Sequence, residues 1–356
     1  MNALMADAEI LFERRGAAGL VTLNRSAALN AVTHAMVLGL RAQLDEWAGD
    51  PAITRVLIRA AGERAFSAGG DIRALYDLGK AGKRDEMLQF WRDEYPLNVA
   101  IKNYRKPYVA LIDGIVMGGG AGVSLHGSHR VAGDRFQFAM PEVGIGFFPD
   151  VGATWFLPRL PGELGTYCAL TGERFNAADG CGAGLATHRI PSARFDALLE
   201  GLSGTASVDA VLAAFAEPAG AGTIMARRAA IDRLFAGDSV ENILNALDRE
   251  ATSGSVDAEW AAKTSATMLA KSPLSLKIAL MQARRGADSD FETCMRAEFR
   301  IVSRVVGGHD FYEGVRAVIV DKDNKPRWRP ETLSGVNAAE VERHFAPLDG
   351  GELVLP

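Results

Sequence analysis

Four glycines in five positions, Gly118-Gly119-Gly120-Ala121-Gly122, open what the surrounding pattern marks as a helix. Each weakens a helix start by about 1 kcal/mol against alanine, so some neighbour must require close approach of the backbone there. Two requirements fit: packing against an adjacent strand or helix, or amides presented to a ligand oxygen. Further on the chain reads Met140-Pro141-Glu142-Val143-Gly144-Ile145-Gly146-Phe147-Phe148-Pro149-Asp150. Amides at a glycine-lined helix start can hold a developing oxyanion, and two carboxylates in one glycine- and proline-shaped loop can supply proton chemistry. The combination points to acyl chemistry on a carbonyl.

Periodicity sets the fold class. Short apolar runs at 9–13, 20–23 and 55–60 alternate with an amphipathic stretch at 33–47, which predicts an α/β core. Thr33 is placed to cap that helix, and Gly49-Asp50-Pro51 to end it. Residues 61–71 read as a turn-rich segment entering a short helix at 72–78, and a longer helix at 84–104 carries Trp91, Glu94 and Tyr95. A buried strand at 107–112 delivers the chain to the glycines, and a strand pair at 130–132 and 136–139 leads into the carboxylate loop. Past residue 160 the strand signal fades. Helices are expected at 162–170, 195–202, 223–235, 240–247, 258–269 and 274–285, with 291–306 and 311–319 closing the series. The expected division is an α/β core over 1–200 carrying the site and a helical region over 201–356, packed together because no low-complexity linker separates them.

Composition removes several function classes. A net charge of -5 and a sequence pI of about 5.8 supply no global basic field for nucleic acid or an anionic membrane. Cys168, Cys181 and Cys294 form no CxxC pair and are too few for a disulfide framework, so a reducing, cytoplasmic setting is expected. Residues 1–9 show no signal or transit pattern, and no apolar stretch reaches membrane-span length. The histidines never adopt HExxH or HxH spacing, so no histidine-built metal site is indicated.

Several residues admit two readings. In Phe66-Ser67-Ala68-Gly69-Gly70-Asp71 the paired glycines suit close approach of a carbonyl or phosphate, and equally let a strand enter a helix. Glu142 follows Pro141 and precedes an apolar run, where burial would raise its pKa and fit it for acid, base or nucleophilic work; a surface turn is the plain alternative. Asp150 can be a turn residue or a helix cap, and Glu94 a member of a solvated helix face.

Taken in order and spacing, FSAGGD, GIVMGGGAG and FAMPEVGIGFFPDVG resemble the crotonase, or enoyl-CoA hydratase/isomerase, superfamily. The likeness runs nearly the whole length through DEYPLN, KPYVALIDGI, LPRLPG and CALTGERF. A final segment, EFRIVSRVVGGHDFYEGVRAVIVDKDNKPRWRP, resembles the 3-hydroxyisobutyryl-CoA hydrolase branch of valine breakdown and is foreign to ordinary hydratases.

The resemblance implies a spiral of ββα units with a helical C-terminal region, an acyl-CoA substrate and no cofactor beyond it. It makes the amides of Gly70 and Gly119 the oxyanion donors, Glu142 the principal catalytic carboxylate and Asp150 its partner, with Glu94 at the substrate pocket. Arg25, Ala68, Asp71 and Arg73 fall at family-like positions for holding CoA, although either arginine could be a solvated charge. Hydratases place a second glutamate two residues past the triplet, where this chain has Gly122, which undermines water addition across a double bond. Thioester hydrolysis is therefore expected, with a hydratase or isomerase, or a non-catalytic acyl-CoA-binding protein, as the rivals. No nucleic acid or membrane partner is implied, and a homo-oligomer remains open because the C-terminal segment could cover surfaces that crotonases use for trimers.

Overall fold

The computed structural model describes residues 8–356, so most of the N-terminal stretch read for targeting signals lies outside the described residues. Among the described residues ten strands form two sheets. The larger, in the order β1-β2-β3-β5-β7-β10, comprises β1 (Ile10–Arg15), β2 (Ala18–Leu23), β3 (Arg55–Ala60), β5 (Tyr108–Ile112), β7 (His129–Ala132) and β10 (His188–Arg189). The smaller, in the order β4-β6-β8-β9, comprises β4 (Ala65–Ser67), β6 (Ile115–Met117), β8 (Gln137–Ala139) and β9 (Phe175–Asn176). Only β1–β2 and β8–β9 run antiparallel.

The chain order explains the architecture. Successive pairs β3-β4, β5-β6 and β7-β8 each place one strand in the large sheet and the next in the small one, and each pair is followed by helix or turn. These are spiralling ββα repeats. Along the large sheet the pleat separates two faces: Leu20, Leu57, Val109, Leu111 and Val131 pack with Leu198, Leu202 and Leu212, while Val21, Val56, Ile58, Ala110 and Ile112 face the main core. Val21, Leu57 and Ile58 are fully buried, as expected for strands covered on both sides.

Helix α1 (His34–Gly49) begins where the sequence indicates, with Thr33 Oγ1 accepting from the Met36 amide at 3.3 Å. Helix α2 (Ile72–Lys80) is capped by Asp71, and α3 (Arg84–Lys102) runs on through Pro96. Helix α4 (Gly119–Gly122) is the glycine-rich turn, followed by α5 (Ala153–Phe156) and α6 (Leu164–Thr171). The later helices pack back on this core: Phe299 meets Tyr95 of α3 edge-on, and Phe311 lies 5.8 Å from Phe147 of the carboxylate loop. The three cysteines are free, with Cys168 and Cys294 buried.

Several expectations need correction. Residues 61–71 are not all turn, because Ala65–Ser67 is β4, and β6 lies outside the expected strands. Strands continue past residue 160 as β9 and β10. The helix expected over 223–235 divides at Arg227 into Thr223–Ala226 and Arg228–Phe235; buried Asp179 accepts from the amides of Ile224 and Met225 and fixes the first piece separately. The helix expected over 311–319 is His309–Val315 continued by a wider π-turn, Arg316–Val320. The series does not close there. Helix Ala338–Phe345 follows, and Val208–Phe215 lies between two expected helices; both carry the polar caps, Asn337 and Ser207, that mark a helix start.

Candidate active site

The chemistry-bearing segments leave the carboxyl ends of three adjacent parallel strands. The first glycine segment follows β4, the second follows β6, and Pro141-Glu142 follows β8, in the order in which these strands pair. A cavity of about 960 Å³ opens over them, bounded by Phe90, Trp91 and Phe147 and, from the C-terminal region, by Lys271 and Ile319.

Contacts at the glycines separate two roles. A β-carbon on Gly119 would stand 2.9 Å from Glu94 Oε1 and 3.1 Å from the Gly70 nitrogen, so the two amide-bearing turns press together at the pocket floor. Among the described residues neither the Gly70 nor the Gly119 amide is engaged by a protein acceptor, since Gly119 opens α4 and the bridge from Gly70 to Val32 uses the flanking groups. Gly118 has a φ of 44°, and a β-carbon there would lie 3.2 Å from Glu142 Oε1. Gly120 serves packing instead, its β-carbon position being 2.5 Å from the Ser67 carbonyl oxygen.

Glu142 is buried at the first position of the turn Glu142–Ile145, and its Oε2 has no hydrogen-bond partner among the described residues. Burial, aided by the charge of Asp150, pushes its carboxyl well above the ordinary range. Asp150 is 5% exposed and accepts from the Tyr95 hydroxyl at 2.9 Å; burial lifts it to about 7. Glu94, also buried, is raised by desolvation and then by the charges of Asp150 and Glu298, and its Oε1 is unpartnered. The solvated helix face considered for Glu94 is therefore not what this chain builds. Among the described residues no three His, Cys, Asp or Glu side chains are grouped as metal ligands.

Ala68, Asp71, Arg25 and Arg73 also line the cavity, with their polar groups committed elsewhere. The Ala68 amide donates to the Leu29 carbonyl, and Asp71 caps α2 while pairing with Arg25 at 2.8 Å. Arg25 also pairs with Glu9 at 2.9 Å, and Arg73 with Asp77 at 3.0 Å. Both arginines thus carry local counter-charges at the cavity wall.

Sequence reasoning gave no role to Tyr95, Glu298 or Lys271. Glu298 accepts from the Gly152 amide at 2.8 Å and the Thr154 amide at 2.9 Å, fixing the turn that follows Asp150; burial, then the Asp150 charge, lifts it to about 8. Nothing in the local pattern of Glu298 marks it, because its partners lie more than a hundred residues away. Tyr95 adjoins Glu94, and only the fold brings its hydroxyl to Asp150.

The enoyl-CoA hydratase/isomerase family model matches residues 18–345, nearly the whole chain. The chain belongs to the enoyl-CoA hydratase/isomerase family. A family member from Danio rerio, named 3-hydroxyisobutyryl-CoA hydrolase, mitochondrial, is 43% identical over 365 residues, covering 100% of this chain and 94% of its own. Solved enoyl-CoA hydratase/isomerase folds superpose closely. One from Mycobacterium thermoresistibile, described as a carnitinyl-CoA dehydratase, has a TM-score of 0.92 at 42% identity, covering 98% of this chain and 99% of its own. Another from Rhodobacter sphaeroides 2.4.1, described as an enoyl-CoA hydratase, has a TM-score of 0.90 at 38% identity, covering 98% of this chain and 100% of its own. The architecture is the crotonase fold of this family, with the helical C-terminal region included.

Proposed function

We propose that this enzyme hydrolyses a short-chain 3-hydroxyacyl-CoA thioester, above all 3-hydroxyisobutyryl-CoA, to the 3-hydroxy acid and free CoA, a step of valine breakdown. In this reading the thioester oxygen sits between the Gly70 and Gly119 amides, which stabilise the negative charge that develops as the carbonyl is attacked. Glu142 acts through its carboxylate, either by taking a proton from the attacking water or by adding to the carbonyl itself and forming an anhydride that water then opens. Collapse of the tetrahedral species breaks the carbon–sulfur bond, and the departing thiolate takes up a proton. Asp150, lifted to about 7, is divided between its protonated and ionised forms near neutral pH and is suited to orient the 3-hydroxyl or to protonate the thiolate. CoA is the leaving group and the binding handle. No further cofactor enters.

The observation that carries hydrolysis over hydration is the wall at Gly122. A β-carbon there would stand 2.8 Å from Asn98 Nδ2 and 2.9 Å from Val151 Cβ, so the position that hydratases fill with a glutamate has no room for one. The descriptions of the two solved relatives favour a second reading, hydration or dehydration of an acyl-CoA, and one experiment separates them. With 3-hydroxyisobutyryl-CoA, 3-hydroxypropionyl-CoA and crotonyl-CoA as substrates, thiol release and enoyl absorbance are followed in parallel. Hydrolysis predicts free CoA from the first two and slow loss of crotonyl absorbance; rapid crotonyl hydration without thiol release overturns it.

A further inference from the structure

On the far side of the Asp150 turn lies a second cavity of about 400 Å³, whose lining includes Lys102, Arg130, Arg159, His126 and Trp155. Three cations converge there, and among the described residues no Asp or Glu lines the cavity. Among the described residues none of the three forms an ion pair in a chain of net charge -5, whereas Arg25 and Arg73 at the first cavity are both paired. The arginines are held rigidly by backbone carbonyls. Arg130 donates to Leu185, Gly127 and Gly184, and Arg159 to Trp155, Gly286 and Ser289. Carbonyl dipoles satisfy geometry without cancelling the charge.

Lys102 has no hydrogen bond among the described residues; its Nζ rests 4.0 Å from the Trp155 ring centre, with the Arg159 guanidinium 4.6 Å from the same ring. Burial lowers the Lys102 ammonium from its ordinary range, and repulsion from Arg130 and Arg159 lowers it further. Like charges held together in a partly desolvated cavity oppose folding unless an anion joins them. His126 contributes no positive charge, since burial brings it down to about 4. Its Nε2 lies 2.7 Å from the Val151 carbonyl, to which it donates.

We propose that this cavity is an anion-binding site, separate from the acyl-CoA pocket, for a small ligand bearing a phosphoryl group. Two fixed guanidinium groups and one mobile ammonium match the several oxygens of a phosphoryl group, and the Trp155 ring flanks two of the three cations. Binding draws Lys102 off the Trp155 ring. Through His126 and the Val151 carbonyl the site adjoins the backbone that carries Asp150.

Inorganic pyrophosphate is the probe, titrated calorimetrically into the intact protein at constant ionic strength with the acyl-CoA pocket saturated by CoA. Saturable one-to-one binding is expected, with a change in tryptophan emission. Lys102→Met keeps the apolar stem over Trp155 and removes the charge, and should weaken binding at least tenfold with a melting temperature no lower than the parent's. Lys263→Ala, a surface lysine paired with Glu259, should leave it unchanged. Absence of saturable binding under CoA saturation, or equal affinity in folded Lys102→Met, overturns the site.

Discussion

The Tyr95 hydroxyl donates to Asp150 Oδ2 at 2.9 Å, inside a region where both side chains are buried. This bond ties α3 to the carboxylate loop and orients the Asp150 carboxyl. It also sets Glu94, the preceding residue on α3, beside the glycine turns. Tyr95 is itself held by Phe299, which meets its ring edge-on at 6.4 Å, so the C-terminal helix Phe291–Val305 braces the same contact from behind. One tyrosine thereby links the α/β core, the carboxylate loop and the helical region.

Burial of Asp150 makes stability depend on pH. Its pKa rises from 3.8 to about 7 on folding, and that of Glu298 from 4.5 to about 8. The folded protein therefore binds more protons than the unfolded chain across that window, and stability falls as pH rises through it. Asp150→Asn keeps an acceptor for Tyr95 and abolishes the titration. Its melting temperature relative to the parent should climb between pH 5 and pH 8, by an amount on the order of a few kcal/mol in stability. An offset that is the same at both pH values would show that no charge is being buried there.

Glu142→Gln should stop turnover and leave acyl-CoA binding largely intact. The amide keeps the size of the carboxyl and loses both basicity and nucleophilicity on a side chain that lines the cavity. The split is read by comparing calorimetric affinity for the substrate with single-turnover thiol release. Wild-type turnover in folded Glu142→Gln would move the chemistry to another group.

Local patterns revealed the core more fully than the site. The apolar runs of β2, β3 and β5 are long enough to show period and burial, and Thr33 carries its capping chemistry in its own side chain. Strands β4 and β6 span three residues each and end in glycine segments, too short for any period to register. The glycine clusters and the Glu142–Asp150 spacing were readable because their chemistry is local. Tyr95, Glu298 and Asn98 were not, since each acquires its meaning from a partner brought near by folding.

Gly122→Glu tests the wall behind the triplet. Its new β-carbon meets Asn98 Nδ2 and the β-carbon of Val151, a residue with a φ of 53°, so little can yield. The variant should lose roughly 1–3 kcal/mol of stability and gain no crotonyl-CoA hydration. Adding Asn98→Ala should restore part of the stability by opening space. A single Gly122→Glu variant that melts with the parent and hydrates crotonyl-CoA would show that the wall does not select the reaction.

Gly119→Val tests the oxyanion hole itself. The first added carbon would stand 2.9 Å from Glu94 Oε1 and 3.1 Å from the Gly70 nitrogen, inside the space a thioester oxygen has to enter. Losing one donor of this kind typically costs about 100- to 1000-fold in kcat, so at least that loss is expected. Helix propensity acts in the opposite direction, because valine favours a helix over glycine by a few tenths of a kcal/mol. A glycine that only began α4 in open space would therefore tolerate the change. The melting temperature must be measured on the same sample, since a valine forced against Glu94 also strains the fold. Gly120→Ala is the control: its β-carbon position lies 2.5 Å from the Ser67 carbonyl oxygen, so it should lower stability, with any surviving folded fraction retaining turnover. Near-normal kcat in folded Gly119→Val would assign the triplet to packing and require other groups to hold the carbonyl.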